Sequence, residues 1–130
     1  MRQQVGSGTI WEQRVGFSRA LRVGPLVFVS GTTATDEQGL LVGPNDAYGQ
    51  TVYILQKIER SLVEAGATLD HIVRTRIYVT DAALWEEVGR AHGELLGAVR
   101  PANTLVEVAG LVGEGYLVEI EVDAVIDEVL

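Results

Sequence analysis

Residues 100–125, RPANTLVEVAGLVGEGYLVEIEVDAV, decide how this chain is read. Two alternating apolar runs, at 103–109 and 116–126, flank the glycine-rich GLVGEG at 110–115. That pattern predicts two strands joined by a hairpin loop. The glycines have the wrong spacing for a dinucleotide loop, and no helix follows to offer its N-terminus to a pyrophosphate. Asn103 opens the first strand where it emerges from a helix, as either a turn residue or the floor of a binding site. On the last strand Glu119 and Glu121 share one face, opposite Val118, Ile120 and Val122. If this strand pairs with the one that Asn103 begins, Glu119 in a seam can face a ligand and a water together. Glu121 reads as a solvated strand carboxylate.

Working outward from this stretch, ALRVGPLVFVSGTTA (20–34) predicts two short strands around Gly24-Pro25, and DEQG (36–39) a further turn. Asp46 can cap a helix carrying Val52, Leu55, Ile58 and Leu62 and ending at Gly66, where glycine tolerates a left-handed conformation. HIVRTRIYVTD (71–81) alternates as a strand, with Val73, Thr75, Ile77 and Val79 on one face and Ile72, Arg74, Arg76 and Tyr78 on the other. Asp81 can cap a second helix with a buried stripe of Leu84, Val88, Ala91 and Leu95, ended by Gly97 and Pro101. The predicted order is ββαβαββ, an α+β domain with a five-strand mixed sheet and two helices on one face.

Two helices cover only one face of such a sheet, yet the other face also carries apolar side chains, around Phe28 and Leu105. With no spare helix, a second copy of the chain is the natural cover. A homo-oligomer with sites at its seams is the expectation.

At 130 residues, 47% of them hydrophobic, residues 1–130 suit one domain. The absence of cysteine excludes a disulfide framework and a thiolate site, and suits a reducing, cytoplasmic setting. No stretch is apolar and long enough to span a bilayer, so no membrane partner is expected. A formal net charge of −8, spread along the chain, argues against nucleic acid as a partner, since Arg14, Arg19 and Arg22 make only a thin basic patch.

Neither of the two histidines, His71 and His92, lies in a metal-ligand pattern. HGE (92–94) matches half of a zinc deaminase signature whose other half requires cysteine, so no metal site is expected. His92 reads as a packed or interfacial histidine. Ser30 lacks the Gly-x-Ser-x-Gly elbow of a hydrolase. Ser30 and Gly31 can present a hydroxyl and a backbone N–H to a carbonyl or carboxylate, although a strand-terminal turn is the plainer reading.

VSGTT (29–33) after a Gly-Pro hairpin, EAGATLDHIVRTRIYVTD (64–81), RPANTLVEV (100–108) and VEIEVDAV (118–125), in that order and at those separations, carry a resemblance. From about Gly16 to Ile126 the chain resembles the reactive intermediate (imine) deaminase, or Rid (YjgF-type, endoribonuclease L-PSP-like), family. The resemblance implies a chorismate-mutase-like fold, a homotrimer with small-molecule clefts between subunits, and cofactor-free hydrolysis of 2-imino acids or their enamine tautomers. In the family's motif an arginine four residues into R/F-P-A-R-S/T holds the substrate carboxylate. Here that position is Asn103.

Asparagine is shorter than arginine and offers no charged bidentate clamp, a loss on the order of 2–5 kcal/mol by analogy with truncated charge pairs. Ordinary 2-imino acid deaminase activity is therefore expected to be weak or absent. Phe17 stands where the deaminases carry a tyrosine, Ser30 and Gly31 match the strand-end pair, Glu119 matches the pocket carboxylate and catalytic group, and Trp85 matches a cleft-lining position. These six residues are expected around one cleft formed by two subunits. Arg19, two residues past Phe17, reads as a surface arginine, with compensation for the missing charge as the alternative. The implied functions are an enzyme of altered specificity acting on an imine, enamine or related small carbonyl compound, or a non-catalytic trimer that binds a metabolite or partner. An endoribonuclease is the weakest reading for so acidic a chain.

Overall fold

The computed structural model describes residues 2–127. Its sheet contains β1 (Arg2–Val5), β2 (Ala20–Val23), β3 (Leu26–Thr32), β4 (Ile72–Val79), β5 (Ala102–Glu107) and β6 (Val118–Val125). The helices are α1 (Ile10–Val15), α2 (Ala47–Glu64) and α3 (Trp85–Leu96), with short 3₁₀ turns at Leu69–His71 and Ala82–Leu84. Strand order is β1-β2-β3-β6-β4-β5. Only the β4–β5 pair is parallel. The chain reaches β4 from β3 through α2 and β5 from β4 through α3, the crossover that parallel neighbours require.

The predicted elements are present, and the sheet has six strands rather than five. The additional β1 is a polar edge strand in which only Val5 is buried, so it carries no alternating pattern to read. A second correction concerns 100–125. These residues do not form a hairpin, because β4 lies between β5 and β6 and bonds to both. The glycine-rich segment therefore bridges across β4 instead of joining adjacent strands.

The core lies between the sheet and helices α2 and α3. Ile54, Leu55, Ile58 and Leu62 of α2 pack with Val27, Ile77, Val118 and Ile120, all buried. Each such aliphatic side chain contributes about 1.5–3 kcal/mol on burial. Asp46 caps α2 by accepting from the Gly49 N–H at 2.8 Å. At the other end Gly66 adopts φ +91° while the Ala67 and Gly66 N–H groups bond to Leu62 and Val63 carbonyls at 2.8 and 3.0 Å. This is the paired hydrogen-bond arrangement that a left-handed glycine permits after a helix. Asp81 accepts from the Ala83 N–H of the 3₁₀ turn that leads into α3. The stripe of α3 runs slightly later than predicted, with Val88, Ala91 and Leu96 buried and Leu95 half-buried.

In β4 the register with β6 slips between Ile72 and Arg74. The extra residue turns Ile72 into the core and leaves Val73 exposed, the reverse of the strict alternation expected. Leu105 likewise belongs to the helix-covered face, since it pairs with buried Ile77 and packs against the core. The apolar part of the open face consists instead of exposed Leu26 and Phe28 at one end and Val106 at the other.

Among the described residues no helix is long and apolar enough to cross a membrane.

Candidate functional site

Alternation along β6 buries Val118, Ile120, Val122 and Ala124 against the helices and turns Glu119, Glu121 and Asp123 to the open face. The antiparallel register places Tyr78 beside Glu119, Arg76 beside Glu121 and Arg74 beside Asp123. The Tyr78 hydroxyl donates to Glu121. Arg76 lies 3.2 Å from Asp123 and 3.6 Å from Glu121. Glu121 and Asp123 are thus partnered, whereas Glu119 makes no hydrogen bond to any described residue. Burial raises the Glu119 pKa and Glu121 adds to the rise, while Arg19 opposes it. A half-buried carboxylate without donors, whose pKa rise only the charge of Arg19 opposes, suits proton exchange with a water.

The β3–β6 register is irregular between Val29 and Thr32, and Gly31 lies at that irregularity. A β-carbon at Gly31 would overlap the Glu119 carboxylate, so glycine is what allows the acid to lie directly over the strand. Glu119, Glu121, Gly31 and Tyr78, with Val108 and Leu111 beyond β5, line an open depression of about 390 Å³.

Arg19 is not the solvated surface residue expected. Its Nη2 donates to the Gly31 carbonyl at 2.6 Å, and its guanidinium carbon lies 5.2 Å from the Phe17 ring centre. Its Nε is buried with no hydrogen-bond partner among the described residues. Burial lowers its pKa, with Glu12 and Glu119 opposing, and a guanidinium nevertheless stays protonated. Ser30 ties the same corner together, its N–H donating to the Arg19 carbonyl at 2.9 Å and its Oγ to the Ser18 carbonyl at 2.7 Å. Phe17, Arg19, Ser30, Gly31 and Glu119 therefore form one connected corner.

Asn103 is elsewhere. It pairs with Thr75, whose side chain is fully buried on the helix-covered face, and its Nδ2 donates to Thr75 Oγ1 at 2.9 Å. Glu119 pairs with Tyr78, on the opposite face and nearer the other end of β4. The direct strand pairing expected between these two residues is absent because β4 intervenes. Within one chain, Asn103 and Glu119 do not face a common space. Trp85, 59% exposed at the start of α3, lines neither this depression nor the cavity described next.

Sequence reasoning missed that second cavity, about 210 Å³, between the loop at 6–9 and α2. Arg19, Tyr53, Lys57 and Arg60 are among its lining. Lys57 Nζ donates to the carbonyls of Thr33 and Thr35 at 3.0 and 2.9 Å. Burial, then the charges of Arg19 and Arg60, lower its pKa to about 8. The sequence signal was a cation placed between Ile54 and Ile58 on the inner side of a helix. Among the described residues no His, Asp and Glu side chains gather as a metal-ligand set.

Residues 11–126 match the family described as Endoribonuclease L-PSP. A member of the YjgF/YER057c/UK114 family from Mycobacterium tuberculosis has a crystal structure that superposes with a TM-score of 0.88 at 48% identity, covering 96% of this chain and 99% of that one. A conserved Rid protein family member from Yersinia pestis gives a TM-score of 0.85 at 30% identity over 96% and 99%. An uncharacterized protein of Streptomyces coelicolor is 38% identical over 122 residues, 94% of this chain and 90% of its own length.

Proposed function

Because the chain belongs to the Endoribonuclease L-PSP family, we propose that it assembles as a homotrimer and acts, in clefts between subunits, on a small imine, enamine or related carbonyl compound. The observation that carries this reading is the half-buried Glu119 carboxylate, seated over Gly31 without a hydrogen-bond donor and lining the open depression. Asn103 stands on the opposite face of the sheet, which defeats a meeting of the two within one chain. One protomer brings Phe17, Arg19, Ser30, Gly31 and Glu119. A neighbour, laid against the open face, brings Asn103 from its β5 edge, with exposed Trp85 as an aromatic wall. The exposed apolar groups Leu26, Phe28 and Val106 support such a packing, since they lie on the face that no helix covers.

The chemistry follows from the two groups. Glu119 takes a proton from a water, which attacks the C=N carbon, and the nitrogen is protonated. Collapse of the resulting aminol releases ammonia and leaves a carbonyl. Asn103 orients the substrate from the other side without the charge that an arginine supplies, so carboxylate-bearing 2-imino acids turn over slowly. A semicarbazide-competition assay on 2-iminopropanoate formed in situ from alanine tests this. The expectation is slow hydrolysis by the wild type and none above background by Glu119→Ala. Rapid wild-type hydrolysis would show that another residue, Arg19 being the first candidate, already anchors the carboxylate. Light scattering that finds a stable monomer at micromolar concentration would remove the intersubunit cleft altogether.

The lack of a charged clamp also favours a second reading, a trimer that binds a metabolite or partner without turnover. Hydrolysis absent from the wild type and from Asn103→Arg alike would support it. Nucleic acid is disfavoured as substrate because Glu119, Glu121 and Asp123 line the open face and repel phosphates.

A further inference from the structure

Asn103 does not stand alone at the β5 edge. Its Nδ2 donates to Thr75 Oγ1 at 2.9 Å, and the same oxygen lies 2.9 Å from His92 Nε2 on α3. Thr75 is fully buried, and among the described residues its hydroxyl has no third partner. A hydroxyl carries one proton. Once Oγ1 accepts from the amide, that proton goes to His92 Nε2, so the ring is neutral with its proton on Nδ1. The chain of donation then runs from Asn103 through Thr75 to His92. Asn103 Oδ1 accepts from no described residue, and the side chain is exposed.

We propose that Thr75 and His92 lock the Asn103 amide with its carbonyl oxygen outward, so that this edge selects a ligand bearing a neutral N–H donor, such as a carboxamide, over a carboxylate. The proposal rests on Asn103 lying at the ligand cleft. Oδ1 with the remaining N–H offers an acceptor beside a donor, which complements a carboxamide edge. A carboxylate in that position sets its oxygens against Oδ1.

The lock reverses on protonation. His92 then donates to Thr75 Oγ1, the hydroxyl proton needs an acceptor, and rotation of the amide supplies Oδ1 to it and turns the NH₂ outward. Two donors then favour a carboxylate. Burial holds the His92 pKa below its ordinary value of 6.5. No charge contributes to that shift; on α3, Glu94 accepts from Tyr48 of α2 and Arg90 stacks 4.0 Å from the Tyr48 ring. On β4, Arg76 pairs with Asp123 on the opposite face, and Arg74 is opposite Asp123 in the register. Thr75 and His92 are positioning residues in this scheme.

The test uses the full-length protein labelled with ¹⁵N. Imidazole spectra at about pH 7.5 are expected to show His92 neutral, protonated at Nδ1, with Nε2 accepting. A ring protonated at Nε2 would overturn the lock without any reference to ligand. Titration with pyruvamide and pyruvate, followed at the Asn103 side-chain amide, is expected to favour pyruvamide roughly tenfold, the scale of one mispaired hydrogen bond. The preference should collapse in Thr75→Val and in His92→Gln, and should shrink in the wild type as pH falls through the His92 transition. Equal binding of both probes with the tautomer as expected would overturn the selection. Binding of neither probe would overturn the placement of Asn103 at the cleft, and the ligand assignment with it.

Discussion

Two corners of one sheet carry the polar groups that matter, and they are built in opposite ways. On the open face Glu119 is ionisable, half-buried and without a hydrogen-bond donor, lodged over Gly31 with the charge of Arg19 nearby. On the helix-covered edge Asn103 is neutral and tied through Thr75 to His92. The first arrangement stores a reactive group at a cost in stability, because a carboxylate removed from water without donors prefers to be protonated. The second uses one amide N–H internally and leaves an uncharged edge. On the proposed function, Glu119 would carry the chemistry and Asn103 the recognition from different faces, so that only an arrangement of more than one chain could bring them together.

The comparison breaks most visibly at Glu119. Glu119→Gln should lower turnover by about 10²–10⁴, the range for loss of a general base, and leave the fold at least as stable near neutral pH. The sign follows from linkage. A raised carboxylate pKa means that the folded chain holds its proton more tightly, so this group favours folding at low pH and that advantage is lost as pH rises through the raised value. Urea midpoints for wild type and Glu119→Gln at about pH 5 and pH 8 should therefore diverge toward the higher pH, with the variant the more stable. A variant destabilised at pH 8 would mean that Glu119 has a structural partner.

The next largest effect is expected from Asn103→Arg. Returning a guanidinium to the neutral edge should raise hydrolysis of 2-iminopropanoate about 10²-fold, roughly 2.7 kcal/mol of transition-state stabilisation. The gain should vanish when Glu119→Ala is added if, as proposed, the two residues act on one substrate. A smaller change is expected from Arg19→Met. Removing the one charge that lowers the Glu119 pKa should move the acid limb of the pH–rate profile upward, and an unmoved limb would mean that Arg19 serves Phe17 and the Gly31 carbonyl alone.

How much of this the sequence disclosed differs between the corners. Alternation in 116–126 gave the face of Glu119 correctly, because β6 is central and strictly patterned, its neighbours on one side all buried. The same alternation misplaced Val73, because a bulge adds one residue that periodicity does not register. The expected pairing of Asn103 with Glu119 failed for a topological reason. Residues adjacent along the chain suggested a hairpin, whereas strand order is set by α3 returning β5 parallel to β4. Nothing in the order of residues announces that β6 inserts on the far side. Thr75 was seen as a strand residue and His92 as a packed one, but their meeting depends on where α3 lies across β4. Arg19 and Lys57 escaped because a buried cation looks like a surface one until the groups covering it are known.

The smallest expected effect tests whether the open-face corner is tuned from behind. Lys57 lies in the cavity that Arg19 also lines, and the two cations repel, so part of the Lys57 shift to about 8 comes from Arg19. Two carbonyls accept from its ammonium and offset some of the burial cost. With a folded pKa of about 8 against an ordinary 10.5, the unfolded chain binds the proton more tightly in the window between them. Stability contributed by Lys57 therefore rises as pH increases from about 8 to 10.5. Lys57→Met should lose that rise and leave the Thr33 and Thr35 carbonyls without their donor, a cost of about 1–3 kcal/mol. Urea unfolding of both proteins at about pH 7.5 and pH 9.5 measures the difference directly, and the gap in favour of wild type should widen at the higher pH. A gap independent of pH would assign Lys57 to anchoring the loop at 33–35 alone, and would leave Arg19 answering only to Glu12 and Glu119.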